Sequence, residues 1–201
     1  MESSFTNQAP PLRSADSSSS LVSLDWCRGL MTGSPVQTSS KTIDNLKGIF
    51  HDESARSLME PTREVYSVQL WSPVAAGSEG GLFWGVTVIR PGMVGNEYFM
   101  THGHFHANRS RAEYYGTVSG KGMLIQMDSD RKTWGEPMSS GTLHYIRGEF
   151  AHRVANTSSE PLVFWACWPS DAGYDYRTID DRGFGARLLE YNGEPVLECH
   201  E

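Results

Sequence analysis

Three histidines fall within five positions in the run Thr101-His-Gly-His-Phe-His106, a carboxylate follows at Glu113, and another histidine stands far downstream at His152. Imidazole nitrogen and carboxylate oxygen together suit a first-row divalent cation such as Fe, Mn, Zn or Ni. Ligands drawn from three separate stretches can surround such an ion and still leave one or two positions free. Open positions mark a catalytic rather than a structural centre.

Those side chains need strands to carry them. On a strand, alternate residues share a face, so His104 and His106 are expected to project together into an interior while Phe105 points away. Glu113 falls across a short turn on the next strand, and His152 on a later hairpin. From Glu64 onward, short runs rich in Val, Ile, Tyr, Trp and Phe alternate with turn residues. Strands are expected at Val65–Trp71, Leu82–Arg90, Tyr98–Thr101, Glu113–Ser119, Met123–Asp128, Gly141–Arg147, His152–Ala155 and Leu162–Trp168. A further short one is expected at Arg187–Tyr191 in a C-terminal extension. Many short strands with frequent turns predict an all-β sandwich or barrel over residues 64–201.

The N-terminal part reads differently. Residues 1–20 are serine-rich with few large apolar groups and are expected to be a disordered arm. Residues 21–63 are expected to be a short helical segment. Within it, Ser39-Ser40 would cap the stretch Thr42–Met59, where Ile43, Leu46, Ile49 and Phe50, then Leu58 and Met59, recur near helical spacing, and Pro61 ends it.

At 201 residues the chain can bury one sizeable core. Its formal net charge of −7 opposes binding to a polyanion, and no basic run offsets it, so no nucleic-acid partner is expected. No apolar run approaches the roughly 20 residues of a membrane span. Cys27, Cys167 and Cys199 show no CxxC spacing, which predicts reduced thiols in a cytoplasmic protein.

The pattern resembles the cupin superfamily, whose first motif carries HxH, a Glu and a later Gly; here these are His104-Phe105-His106, Glu113 and Gly120. Gly141, His152 and Asn156 fall in register with the second cupin motif, while Arg147 and Glu149 replace its Pro and Gly, and Tyr98 stands at the leading Gly of the first. The step from His106 to Glu113 is wider than the general pattern. With Gly95 to His106, Ala151-His152-Arg153 and Pro169-Ser-Asp-Ala-Gly-Tyr-Asp-Tyr176, the chain from about Lys41 to Tyr191 is similar to the cupin-type glucose-6-phosphate isomerases.

That resemblance implies a jelly-roll barrel, a homodimer and one divalent metal per subunit, Fe2+ first, with Mn2+, Zn2+ or Ni2+ as alternatives. The ligands would be His104, His106, Glu113 and His152. It implies phosphate contacts from Thr87 and Thr101, a tyrosine beside the ligand carboxylate at Tyr115, and a sugar-phosphate pocket reaching Trp168, Tyr174 and Tyr176. Trp168 and Tyr174 depart from the family, which often has Tyr and His there. The chemistry would be aldose–ketose isomerisation. A cation on the O1 and O2 oxygens polarises the carbonyl and stabilises an enediolate, with Glu113 as a plain ligand or as the proton carrier between C1 and C2. A metal-assisted hydride shift is the competing route. Other metal-cupin enzymes, acting on a different sugar phosphate or on dioxygen, and a non-catalytic sugar-phosphate-binding cupin are the rival readings.

The remaining histidines are assigned elsewhere. His102 is expected at the pocket edge, His144 as a hydrogen-bonded interior or edge residue, and His51 and His200 in solvent. Trp71, Trp134 and Trp165 are expected in the core or at a dimer contact.

Overall fold

The computed structural model describes residues 21–199; the serine-rich arm and His200 lie outside the described residues. The chain runs through β1 (Val22–Asp25), β2 (Leu30–Gly33) and β3 (Val36–Thr42), then a 3-10 turn at Asp44–Leu46 and α1 (Glu53–Ser57). Next come β4 (Glu64–Trp71), β5 (Leu82–Ile89), β6 (Met93–Val94), β7 (Glu97–Tyr98), β8 (Glu113–Ser119), β9 (Lys121–Met127) and β10 (Thr133–Ser139). β11 (Leu143–Ile146), β12 (Ala151–Asn156), β13 (Leu162–Pro169), α2 (Arg177–Arg182), β14 (Ala186–Tyr191) and β15 (Glu194–Cys199) complete it.

A six-stranded sheet in the order β11-β8-β13-β5-β4-β3 faces a layer made of β10-β9-β12 and β15-β14-β7-β6. Every pairing is antiparallel. The all-β jelly-roll expectation holds, with one correction: the layers form an open sandwich, because the ladders do not close into one continuous barrel. Period-two alternation places the inner face. Across the large sheet, Val68 opposes Thr87, Thr87 opposes Phe164, and Ala166 opposes Tyr115. The alternate residues Trp84, Val86, Val163 and Trp165 face outward, where the β1–β2 hairpin partly covers them through Met31. Trp84 and Trp165 stack there with ring centroids 4.7 Å apart. Trp71 joins the same outer cluster, and Trp134 meets Phe150 edge-on at 4.9 Å.

The expected helical segment 21–63 is corrected by the structure. Val22–Thr42 forms three strands, and Ser39-Ser40 lies inside β3 rather than capping a helix. β3 pairs with β4 from Val36↔Trp71 to Thr42↔Glu64, so the large sheet extends across residue 64. The helical spacing of Ile43, Leu46 and Phe50 is real but serves only one turn and the approach to α1; all three are buried in the main core. Three further strands, the two-residue β6 and the longer β10 and β15, were not anticipated. Gly135 and Pro137 masked β10, and Pro195 masked β15; Pro lacks the N–H a strand interior uses. The expected strand Tyr98–Thr101 shrinks to β7, followed by single bridges at Met100, His104 and Phe105.

Candidate metal centre

His104 and His152 are a cross-strand pair that exchange both backbone hydrogen bonds, 3.2 and 3.0 Å. Their imidazoles meet at 4.6 Å between centroids. His106 lies 5.7 Å from His104 on the same side, while Phe105 turns into the core, with the Arg109 guanidinium 3.7 Å above its ring. The expected alternation across Phe105 is therefore observed. Gly103, at φ +80, makes the bend that starts this run; a Cβ there would sit 2.8 Å from Phe184 and 3.0 Å from Arg153.

Glu113 opens β8 on the facing sheet. Its Oε1 lies 2.5 Å from His152 Nε2 and 3.3 Å from His106 Nε2. One donor atom from each of His104, His106, Glu113 and His152 falls within 4.8 Å of the others. His106 Nδ1 is 2.5 Å from the Arg111 carbonyl and His152 Nδ1 is 3.4 Å from the Phe150 carbonyl. A carbonyl only accepts, so these contacts place the ring protons outward and leave the Nε2 lone pairs facing the cluster. Glu113 Oε1 and His152 Nε2 are both buried without a well-formed hydrogen bond among the described residues. Two unsatisfied lone-pair atoms this close are costly alone and favourable around a cation. The donor set therefore fits a divalent ion of the kind expected.

The electrostatics agree. Burial pushes the Glu113 carboxyl up, but positive charge and N–H donation at the adjacent His152 and His106 outweigh it and hold it well below the usual carboxylate range, and a bound cation would take over the place of those protons. Burial first, then His152, holds His104 well below the ordinary imidazole value, so its ring stays neutral with a free lone pair. Burial first, then the Glu113 charge, pushes the Tyr115 phenol well above its ordinary value, so it remains an O–H donor.

The cluster forms the floor of a cavity of about 290 Å³ between the two layers. Thr87, Thr101, Tyr115, Trp168, Tyr174 and Tyr176 all line it. Thr101 Oγ1 accepts from the Val154 N–H at 3.1 Å, which leaves its own O–H free to donate. Tyr174 and Tyr176 stack at 5.7 Å and close one side, next to His104. Arg109–Asp175 and Arg111–Asp171, both 2.7 Å, tie the loop that bears Tyr174 to the loop after His106. His102 lines the cavity edge but turns its Nε2 to Asp180, 2.9 Å away, and stays out of the cluster. His144 is buried between Glu136 and Thr142, and His51 is exposed. Ser39, Lys41 and Tyr66 also line the cavity and were missed. Reading residues 36–42 as a strand would have placed Ser39 and Lys41 on one face, beside Val68 and Tyr66.

A jelly-roll sandwich with three imidazoles and a carboxylate converging inside it defines the cupin class. The family model for glucose-6-phosphate isomerase matches residues 40–198. Glucose-6-phosphate isomerase from Pyrococcus horikoshii is 41% identical over 179 residues, covering 86% of this chain and 90% of that protein. The Thermococcus litoralis enzyme of the same name is 37% identical, covering 88% and 92%. That from Thermococcus kodakarensis is 42% identical, covering 77% and 81%. The chain belongs to the glucose-6-phosphate isomerase family. No helix among the described residues is long and apolar enough to cross a membrane.

Proposed function

We propose that this protein interconverts glucose 6-phosphate and fructose 6-phosphate in the cavity, with one divalent cation, Fe2+ first, held by His104, His106, Glu113 and His152. The observation that carries the reading is the convergence of four donors on the floor of a cavity whose walls present hydroxyls and aromatic rings. Its family relatives bear that activity in their names. When bound, the cation supplies a Lewis acid that makes the C–H beside a sugar carbonyl acidic.

The chain's own groups do the rest. Glu113, kept ionised, takes the proton from one carbon and returns it to its neighbour. Tyr115 donates its O–H beside that carboxylate and fixes the reacting oxygens. Trp168, Tyr174 and Tyr176 enclose the sugar and exclude water. Thr87 and Thr101 donate hydroxyls to the phosphate, and Lys41 at the cavity rim supplies the cation a dianion needs. A cytoplasmic location fits the free thiols of Cys27, Cys167 and Cys199, and a homodimer would cover open strand edges.

The test is to strip the protein with chelator and restore Fe, Mn, Zn and Ni separately in D2O. Conversion of fructose 6-phosphate is expected to vanish on stripping and return with at least one metal, with deuterium entering the product. Undiminished turnover in the stripped protein would refute the reading.

A second expectation concerns Lys41. A charge-assisted contact to phosphate is worth about 1.5–3 kcal/mol, so Lys41→Met should raise KM for fructose 6-phosphate about tenfold or more. The kcat should stay within about threefold, and Lys41→Arg should restore most of the loss. Steady-state kinetics of the three proteins decide it; an unchanged KM removes Lys41 from the phosphate site.

A further inference from the structure

A second cavity, about 230 Å³, lies behind the first, between the α1 approach and the α2–β14 segment. Arg153, Arg182, Arg187 and His51 line it together with Glu97 and Asp180. Arginines elsewhere are mostly ion-paired: Arg56 with Glu53, Arg90 with Glu64, Arg109 with Asp175, Arg111 with Asp171. Arg153, Arg182 and Arg187 have no carboxylate partner among the described residues, and all three meet at this one cavity. Each of the two acids on its wall has another partner, although the Glu97 charge also acts on Arg153 and Arg187. Glu97 Oε2 accepts the His51 N–H at 2.9 Å, and Asp180 pairs with His102 at 2.9 Å.

Arg153 is the telling member. It is only 6% exposed. Its guanidinium lies over the Phe184 ring at 4.1 Å, gives one good hydrogen bond to the His102 carbonyl at 2.8 Å, and spends another N–H on the Met100 sulfur. Its Nε is buried without a partner. The charge of Glu97 reaches Arg153, but that one carboxylate also faces Arg187, and the unpaired Nε leaves the buried guanidinium short of hydrogen-bond acceptors that an oxyanion would supply.

We propose that this second cavity binds a small oxyanion of the phosphate class and acts as an effector site on the isomerase centre. The volume lies below the usual range for drug-sized ligands, roughly 300–1,000 Å³, and suits inorganic phosphate or a short phosphate ester. Guanidinium groups match the geometry of phosphate oxygens. Communication runs through shared residues. Arg153 follows His152 on β12 and holds the His102 carbonyl, while Asp180, on the wall of the second cavity, holds the His102 ring on the edge of the first. An anion that draws on Arg153 competes with its bond to His102 and so alters the rim of the active cavity. The existence of this site does not depend on the isomerase reading; its effect on turnover does.

The test uses inorganic phosphate on the metal-loaded protein. Calorimetry should show two phosphate sites in the parent protein. The double variant Arg182→Gln/Arg187→Gln should lose one, with at least tenfold weaker binding there, and keep its phosphate-free KM and kcat for fructose 6-phosphate. Phosphate should inhibit the parent in a mixed manner, lowering kcat as well as raising KM, and inhibit the double variant competitively only. If the double variant does not fold, as judged by its melting curve, Arg182→Gln alone at the exposed position serves, with the same direction. A single phosphate site displaced by sugar phosphate, unchanged binding in the variants, or purely competitive inhibition of the parent each overturns the proposal. If the parent shows no sugar-phosphate turnover but the variants still lose a phosphate site, the isomerase reading fails and the anion site stands.

Discussion

Glu113→Gln is expected to lower kcat/KM for fructose 6-phosphate by at least about 10³-fold, roughly 4 kcal/mol of transition-state stabilisation. The side chain is 4% exposed and almost isosteric with glutamine, so the substitution changes charge and leaves volume nearly alone. It removes the single anion from a cluster with three imidazoles, and an amide N–H would face His152 Nε2 or His106 Nε2 where a carboxylate oxygen now stands 2.5 and 3.3 Å away. Even partners one step removed from a metal are worth about 10–100-fold in affinity, so a ligand should cost more. It also removes the base proposed to carry the proton. Metal content by elemental analysis and kcat/KM on the same sample check the prediction. Retained metal with kcat/KM within tenfold of the parent would mean that Glu113 neither holds the cation nor moves the proton.

Phe99→Ala should act on stability instead. Phe99 is fully buried, its ring 6.4 Å from Phe50 and beneath the Arg63 guanidinium at 5.0 Å. Its backbone N–H donates to the Gly92 carbonyl at 2.8 Å, and its carbonyl accepts the Asn156 N–H at 2.9 Å, which joins the β6–β7 arm to β12. Gly92 sits at φ +154, and a Cβ there would come within 2.6 Å of the Phe99 ring, so the backbone is already closed down on the phenyl group. Truncation of a buried Phe costs about 3–5 kcal/mol, a large share of a typical folding stability of about 5–15 kcal/mol. For a chain of this size the melting temperature should fall by roughly 10 °C. Thermal unfolding measures it, and a drop under about 2 °C would show that the site repacks. Phe99 also stands two residues before Thr101 and five before His104, so the variant should lose metal affinity on warming before it unfolds.

The two substitutions separate what was legible in the chain from what was not. The cluster of His104, His106, Glu113 and His152 was legible because its information is local. His104 and His106 need only a period of two, Glu113 needs only to open the next strand, and the spacing between them survives whatever the strands pack against. The same alternation predicted β4, β5, β8, β12 and β13 nearly to their ends. Residues 36–42 were misread because helical spacing at Ile43, Leu46 and Phe50 spoke louder than a short polar strand. Ser-Ser-Lys has no apolar alternation of its own, and β3 exists because β4 offers it an edge.

The sequence by itself determined the family and the residues that could hold a metal: three histidines and a glutamate in an all-β chain, at a spacing that belongs to one family. Only the tertiary structure decided what surrounds it. Ser39, Lys41 and Tyr66 reach the cavity through strand pairing, Tyr174 and Tyr176 through a loop tied down by Arg109 and Arg111, and three arginines meet at the second cavity from β12, α2 and β14. The physical reason is range. Backbone geometry fixes which neighbours share a face, whereas charge and hydroxyl placement around a site depends on contacts between residues tens of positions apart, which form only when the two layers bury their faces together.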